Sequence, residues 1–207
     1  MSEPIREDDD VHGRATGIVS VFDDLPGGRA TFLQIDATGF VTAFNGHVDL
    51  GTGIETALSQ IVAEELDLPL DSLRVVLGDT ASTPDQGPTI ASESIQISAV
   101  PLRAAAAQVR HFLLGRAAQL LSVPAEELEL EAGVIRWRNH VLRYGEIVEG
   151  CDIAMRLDRT LPLKNPADYH IVGQPVGRRD LPAKVGGLFT YIHDLRVENM
   201  LHGHVVR

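Results

Sequence analysis

The chain has 207 residues, 44% hydrophobic and 23% charged, which is enough for one large domain or one domain and part of another. Eighteen Lys and Arg against 29 Asp and Glu give a net charge of −11, which argues against a broad basic face for nucleic acid but leaves room for a local anion site built from backbone amides. The one cysteine, Cys151, excludes a disulfide framework or a cysteine metal site within the chain.

The opening MSEPIREDDD is acidic and has no apolar core of the signal-peptide kind, and no apolar run approaches the length of a membrane span. A soluble, cytoplasmic protein is expected. Residues 1–29 read as a flexible acidic arm, with one short strand predicted at Ile18–Phe22 and a turn at Leu25-Pro26-Gly27-Gly28. Thr31–Ile35 and Phe40–Phe44 are β-rich and joined by Asp36-Ala37-Thr38-Gly39, a hairpin. A helix is predicted over 54–67, ending before Pro69, and a short strand over Leu73–Leu77. The polar stretch from Gly78 to Pro88 is a loop on composition. A long helix then runs from near Glu93 past Leu120, with Pro101 either kinking it or marking its first turn.

One helical turn is expected at Pro124–Leu128. A small antiparallel meander follows over Leu128–Glu131, Val134–Trp137 and Val141–Arg143, then a short helix over Tyr144–Glu149. Met155–Asp168 shows no period and reads as loop. From Tyr169 the texture changes: Gly and Pro punctuate a stretch that holds Arg178, Arg179 and Lys184, followed by predicted strands at Leu188–Ile192 and His204–Val206. The fold class is therefore α+β, small mixed sheets packed by helices.

Two small-residue segments each lead into a helix. The first is Asp49-Leu50-Gly51-Thr52-Gly53, the second Pro88-Thr89-Ile90-Ala91-Ser92-Glu93-Ser94. A turn of this kind presents backbone N–H groups at the positive end of a helix dipole and suits phosphate or another anion. Each segment also has a plain structural reading: a glycine link between strand and helix for the first, an N-cap with a nearby acid for the second. The first is not a dinucleotide fingerprint, because Thr56 stands where the third glycine would fall. Among the eight histidines only His202 and His204 form a close pair, without a third ligand. Glu64 and Glu65 read as solvated or paired. No catalytic acid–base pair and no metal site stands out.

Together the two segments resemble the second molybdenum-cofactor-binding domain of the xanthine dehydrogenase and aldehyde oxidase superfamily of molybdenum hydroxylases. That family carries a G-x-[ED]-[ML]-G-x-G-x-x-T segment, then a helix and a strand, then P-T-x-A-S-x-S. Here these fall at 46–56 and at Pro88–Ser94. The order of segments is similar to the large subunit of isoquinoline 1-oxidoreductase-type enzymes. In those, a stretch like Val172–Arg196, then Met200-Leu201-His202 and Val205-Val206-Arg207, opens an α/β-hammerhead domain.

The resemblance implies a cofactor-binding domain over 30–168 and an incomplete hammerhead domain over 169–207. It implies that Gly51, Thr52 and Gly53 lie against the pterin or its phosphate, with Thr52 where the family often has Gln. Ala91, Ser92 and Ser94 fall at positions that hold the phosphate and dinucleotide portion of molybdopterin cytosine dinucleotide. The implied partners are the remaining large-subunit domains and a [2Fe–2S] small subunit. The family's catalytic glutamate lies in a late G-x-G-E motif with no counterpart here, so the chain is expected to be inactive alone, with no catalytic or metal-ligating residue of its own. Self-association through apolar surface around Leu188–Val206 is also expected. Two other readings remain open: a stand-alone α+β binding or assembly module without activity, and a nucleotide-binding protein outside this family.

Overall fold

The computed structural model describes residues 16–206. A five-stranded sheet has the order β4-β3-β2-β1-β8, where β1 is Ile18–Leu25, β2 Gly28–Asp36, β3 Val41–Asn45, β4 Leu73–Leu77 and β8 Asp152–Arg156. The three middle strands form an antiparallel meander, and each outer strand runs parallel to its neighbour. The predicted hairpin is β2–β3, turning at Gly39, whose φ of 81° is the left-handed value a tight turn requires.

Helix α1 (Ile54–Leu66) makes the crossover between the parallel strands β3 and β4. Its buried stripe is Ile54, Leu58, Val62 and Leu66, one residue per turn. It ends at Asp67, in the left-handed region at φ 48°, with Leu68 N–H bonded back to the Ala63 carbonyl. Helix α2 (Ala99–Leu121) lies across the sheet and against α1. The run Ala104–Ala107 is buried, and side chains this small let the helix approach closely. A π-helical turn, Ser94–Ser98, precedes α2. Pro101 therefore does not start the helix: it is the third residue of α2, and helical backbone already runs into it from the π-turn. A second sheet, β5 (Glu129–Glu131), β6 (Val134–Trp137) and β7 (His140–Arg143), is the predicted meander and runs into α3 (Tyr144–Val148).

Four expectations are corrected. Residues 18–29 are not part of an arm: β1 is hydrogen-bonded on both sides, Val19 and Val21 are fully buried, and the turn after Leu25 joins it to β2. Asp23 in this stretch is buried and bridged to Arg159 at 2.8 Å. The arm expected over residues 1–15 lies outside the described residues. Second, Met155 and Arg156 belong to β8, an edge strand whose partner β1 lies more than a hundred residues earlier, a pairing no local pattern encodes. Third, Leu188–Ile192 and His204–Val206 are not strands. The chain after α4 (Leu181–Val185) is extended or turn-like, and Leu188, Ile192, Leu201 and Val206 stand in solvent.

Fourth, residues 169–180 are tied to the same layer as residues 158–168. The segment from Asp158 to Asp180 is strapped over the α1–α2 layer. Gln108 on α2 holds its start through Arg156 O and Asp158 N–H, and Gln60 on α1 donates to Ile171 O. Thr56 accepts from Arg179 N–H, and the Arg179 guanidinium donates to the carbonyls of Leu70, just ahead of β4, and Leu73, its first residue.

Candidate functional site

The first turn leaves β3 at Asn45, which is fully buried. Asp49 then folds its carboxylate into the turn: Oδ1 accepts from Gly51 N–H at 2.8 Å and Gly53 N–H at 3.2 Å, and Glu55 N–H also donates to the carboxylate. Burial pushes the Asp49 pKa up, but these amides outweigh it and hold the group below the usual carboxylate range. Gly51 and Gly53 have φ of 97° and 78°, which the turn requires. The amides expected to be free for an anion at Gly51 and Gly53 are thus already taken by a carboxylate from the same turn. What this segment offers to an outside ligand is Leu50 and Thr52, of which Thr52 is the polar one.

The second turn is strained. Ala91 and Ser92 occupy the left-handed region in succession, at φ 51° and 59°, and Glu93 N–H closes the turn on Ile90 O at 3.1 Å. Two such residues side by side cost of order 1–2 kcal/mol each and gather at ligand sites. Thr89 Oγ1 accepts from Val48 N–H at 2.9 Å, and Ser94 Oγ lies 2.8 Å from Nδ1 of the buried His47. These two bonds tie the turns to each other directly.

Beneath them is a polar cluster that sequence reasoning missed. Asn45 Nδ2 donates to Ser98 O and Oγ, Gln86 Nε2 donates to the same Ser98 carbonyl, and Gln86 Oε1 accepts from Gly46 N–H. Asn45 Oδ1 accepts from His47 N–H at 3.1 Å. The close packing is visible at Gly46, where a Cβ would fall 2.0 Å from the Pro84 carbonyl oxygen. The signal was weak but present: Asn45, Gln86 and Ser98 each border one of the two segments.

The result is one groove of about 360 Å³, lined by Thr52, Ala91, Ser92 and Ser94 with Val48, Leu50, Ile54, Thr89, Ile90 and Ile95. Four of the six expected contact residues meet there. Gly51 and Gly53 do not line it; they support Thr52 from behind. No charged side chain is among the lining residues, so an anionic ligand would be met by hydroxyls and backbone dipoles.

A second cluster lies under the strap. Glu64, Asp67 and His170 present ligand atoms within 4.8 Å of one another, a spacing that a divalent cation could use. Lys164 occupies it instead: its Nζ is 2.7 Å from Glu64 Oε1, 2.5 Å from Asp67 Oδ1 and 3.2 Å from His170 Nδ1. Glu64 also accepts from the backbone N–H groups of His170, Ile171 and Val172. Burial opposes its ionisation, but Lys164 and those amides prevail and lower its pKa to about 2. Glu65, also buried, pairs with Arg103 at 2.6 Å. Of the two expected states for Glu64 and Glu65, paired is the one observed. This cluster holds the strap to α1.

Residues 6–180 match the family described as "Molybdopterin cofactor-binding domain". A subunit of the nicotinate dehydrogenase of Pseudomonas putida is 51% identical over 179 residues, which is 86% of this chain and 15% of that protein. The beta chain of isoquinoline 1-oxidoreductase from Brevundimonas diminuta is 30% identical over 215 residues, 84% of this chain and 28% of the relative. The chain thus spans less than a third of either relative. Among solved structures, a Cu,Mo-CO dehydrogenase in its carbon monoxide-reduced state aligns with a TM-score of 0.50 and 28% identity over 56% of this chain and 15% of that one. Among the described residues, no helix is long and apolar enough to cross a membrane.

Proposed function

The chain belongs to the molybdopterin cofactor-binding domain family, in the form found in molybdenum hydroxylase large subunits, and from that premise we propose that its groove holds a molybdopterin cytosine dinucleotide. The observation that carries this reading is the meeting of Thr52, Ala91, Ser92 and Ser94 in one groove, at the positions where the family motifs imply cofactor contact. The residues present fit such a group: four hydroxyl residues, Thr52, Thr89, Ser92 and Ser94, line the groove, and the strained Ala91–Ser92 pair is the kind of backbone that persists where a ligand is held.

In this reading Ser92 and Ser94 donate hydroxyl hydrogen bonds to phosphate oxygens and Thr52 contacts the pterin or its phosphate. Ser94 can donate outward when His47 Nδ1 carries a proton and donates to Ser94 Oγ. Leu50, Ile90 and Ile95 give the walls apolar surface that excludes water from those bonds. Gly51 and Gly53 act through backbone shape alone. The bound molybdenum centre would supply oxygen-transfer and redox chemistry, while this chain's residues bind and orient.

The whole protein in this reading hydroxylates N-heterocycles or aldehydes with water-derived oxygen and passes electrons to a [2Fe–2S] subunit in the cytoplasm. Residues beyond about 180 belong to the hammerhead domain, and the chain alone is inactive. Co-expression of the chain with the remaining large-subunit domains in a host that makes the cofactor tests the binding claim. Mass spectrometry of the denatured eluate is expected to find a pterin and a cytidine nucleotide at near-equal amounts. Finding neither refutes it and leaves the stand-alone module.

A further inference from the structure

The Gly51–Gly53 turn is backed by a residue from the far end of the chain. Arg178 Nη1 donates to Gly51 O at 2.9 Å, and a Cβ added to Gly53 would lie 3.0 Å from Arg178 Nε. The guanidinium is itself fixed as a fork, Nε to Asp180 Oδ1 at 2.9 Å and Nη2 to Asp180 Oδ2 at 2.6 Å, and Lys184 Nζ closes on the same carboxylate at 2.6 Å. The turn meanwhile encloses the Asp49 carboxylate. Asp49 and Asp180 carry two negative charges, and Arg178 and Lys184 carry two positive ones. Remove Arg178 and the charged group around the Gly51–Gly53 turn becomes net negative, which repels an anionic ligand at Thr52.

We infer that Arg178 is a positioning residue for this site: it shapes the Gly51–Gly53 turn from behind and offsets the Asp49 charge the turn encloses, so that an anionic ligand can approach Thr52. The inference rests on the cofactor-binding reading for its ligand, and on the geometry alone for its effect on the turn. Arg178 touches no groove-lining side chain in this role; it acts through Gly51, Gly53 and Asp49.

The test uses the full chain with inorganic pyrophosphate as probe, titrated calorimetrically into the unaltered protein, Arg178→Ala, and Arg178→Ala combined with Asp49→Asn. Asn keeps an oxygen that can accept from the Gly51 and Gly53 amides while removing the charge. Arg178→Ala is expected to weaken binding about tenfold, the scale of one unit charge roughly 12 Å away near a protein surface. The double variant is expected to regain most of that loss. A merely structural role for Arg178 predicts no such rescue, so a double variant as weak as Arg178→Ala overturns the charge argument, as does unchanged affinity in Arg178→Ala. If the unaltered chain does not bind the probe, the proposed function loses its anion site. Amide hydrogen exchange then decides the role of Arg178. Faster exchange at residues 51–55 in Arg178→Ala, with α2 unchanged, supports the positioning role, and unchanged exchange there overturns it.

Discussion

Lys164→Met removes the ammonium that holds the strap to α1 and leaves its aliphatic stem in place. Lys164 Nζ is within 2.7 Å of both Glu64 and Asp67, and its side chain is 8% exposed, so the substitution leaves two buried carboxylates without their shared cation. Breaking a buried pair from one side costs about 3–5 kcal/mol. Here the lower end applies, because Glu64 keeps its backbone donors and Asp67 keeps Arg110 at 3.4 Å. A loss of about 3 kcal/mol lowers the melting temperature by roughly 6–12 °C in a domain of this size. The loss also depends on pH in a definite direction. Glu64 has its folded pKa lowered to about 2 from an ordinary 4.5, so its ionised form contributes stability that is present above about pH 4.5 and fades as pH falls toward 2. In the variant that contribution is smaller, so the gap between the two proteins narrows as pH drops from 7 to 4. Urea unfolding at pH 7, 5.5 and 4 measures it. A gap under about 0.5 kcal/mol at pH 7, or one that widens toward pH 4, refutes the account of the strap.

Three further outcomes follow from the same physics. Asn45→Ala strips partners from Ser98 and His47 in a buried site and is expected to cost about 2–3 kcal/mol in urea unfolding. Ser92→Gly relieves a left-handed backbone worth about 1–2 kcal/mol against a glycine entropy cost of about 0.4–1 kcal/mol, so a small rise in melting temperature is expected; a fall means the turn is not strained. The exposed apolar residues Leu188, Ile192, Leu201 and Val206 are expected to drive self-association, seen as concentration-dependent sedimentation that Leu201→Lys with Ile192→Lys suppresses.

Where the chain's local pattern and its neighbours agree, the sequence can be read directly. Ile54, Leu58, Val62 and Leu66 recur at helical spacing and bury one face of α1, and the β2–β3 hairpin follows from its turn residues. Two of the misreadings share a cause, which is a partner far away in sequence. The stretch 18–25 reads as part of a polar arm until Arg159 is placed beside Asp23 and β8 beside β1, and Met155 has no strand signal until β1 lies alongside. Leu188–Ile192 errs the other way: its β-rich composition finds no strand to pair with among the described residues, and composition alone does not make a strand.

The first turn misleads for a different reason, and it bears most on function. Glycines before a helix suggest free amides, yet Asp49 stands two and four residues before the glycines it bonds, at the spacing at which a short acid captures its own backbone. That signal lies inside the motif. An acid within a proposed anion site looks like a contradiction only while the turn is considered alone. Asp49 sets the backbone that presents Thr52, and the charge it brings is met by Arg178, more than a hundred residues away. The site is therefore completed by the strap as well as by the two motifs. A truncation ending before Arg178 is expected to keep α1 and the groove's hydroxyls yet bind pyrophosphate more weakly than the full chain, with equal binding by the two counting against a role for the strap.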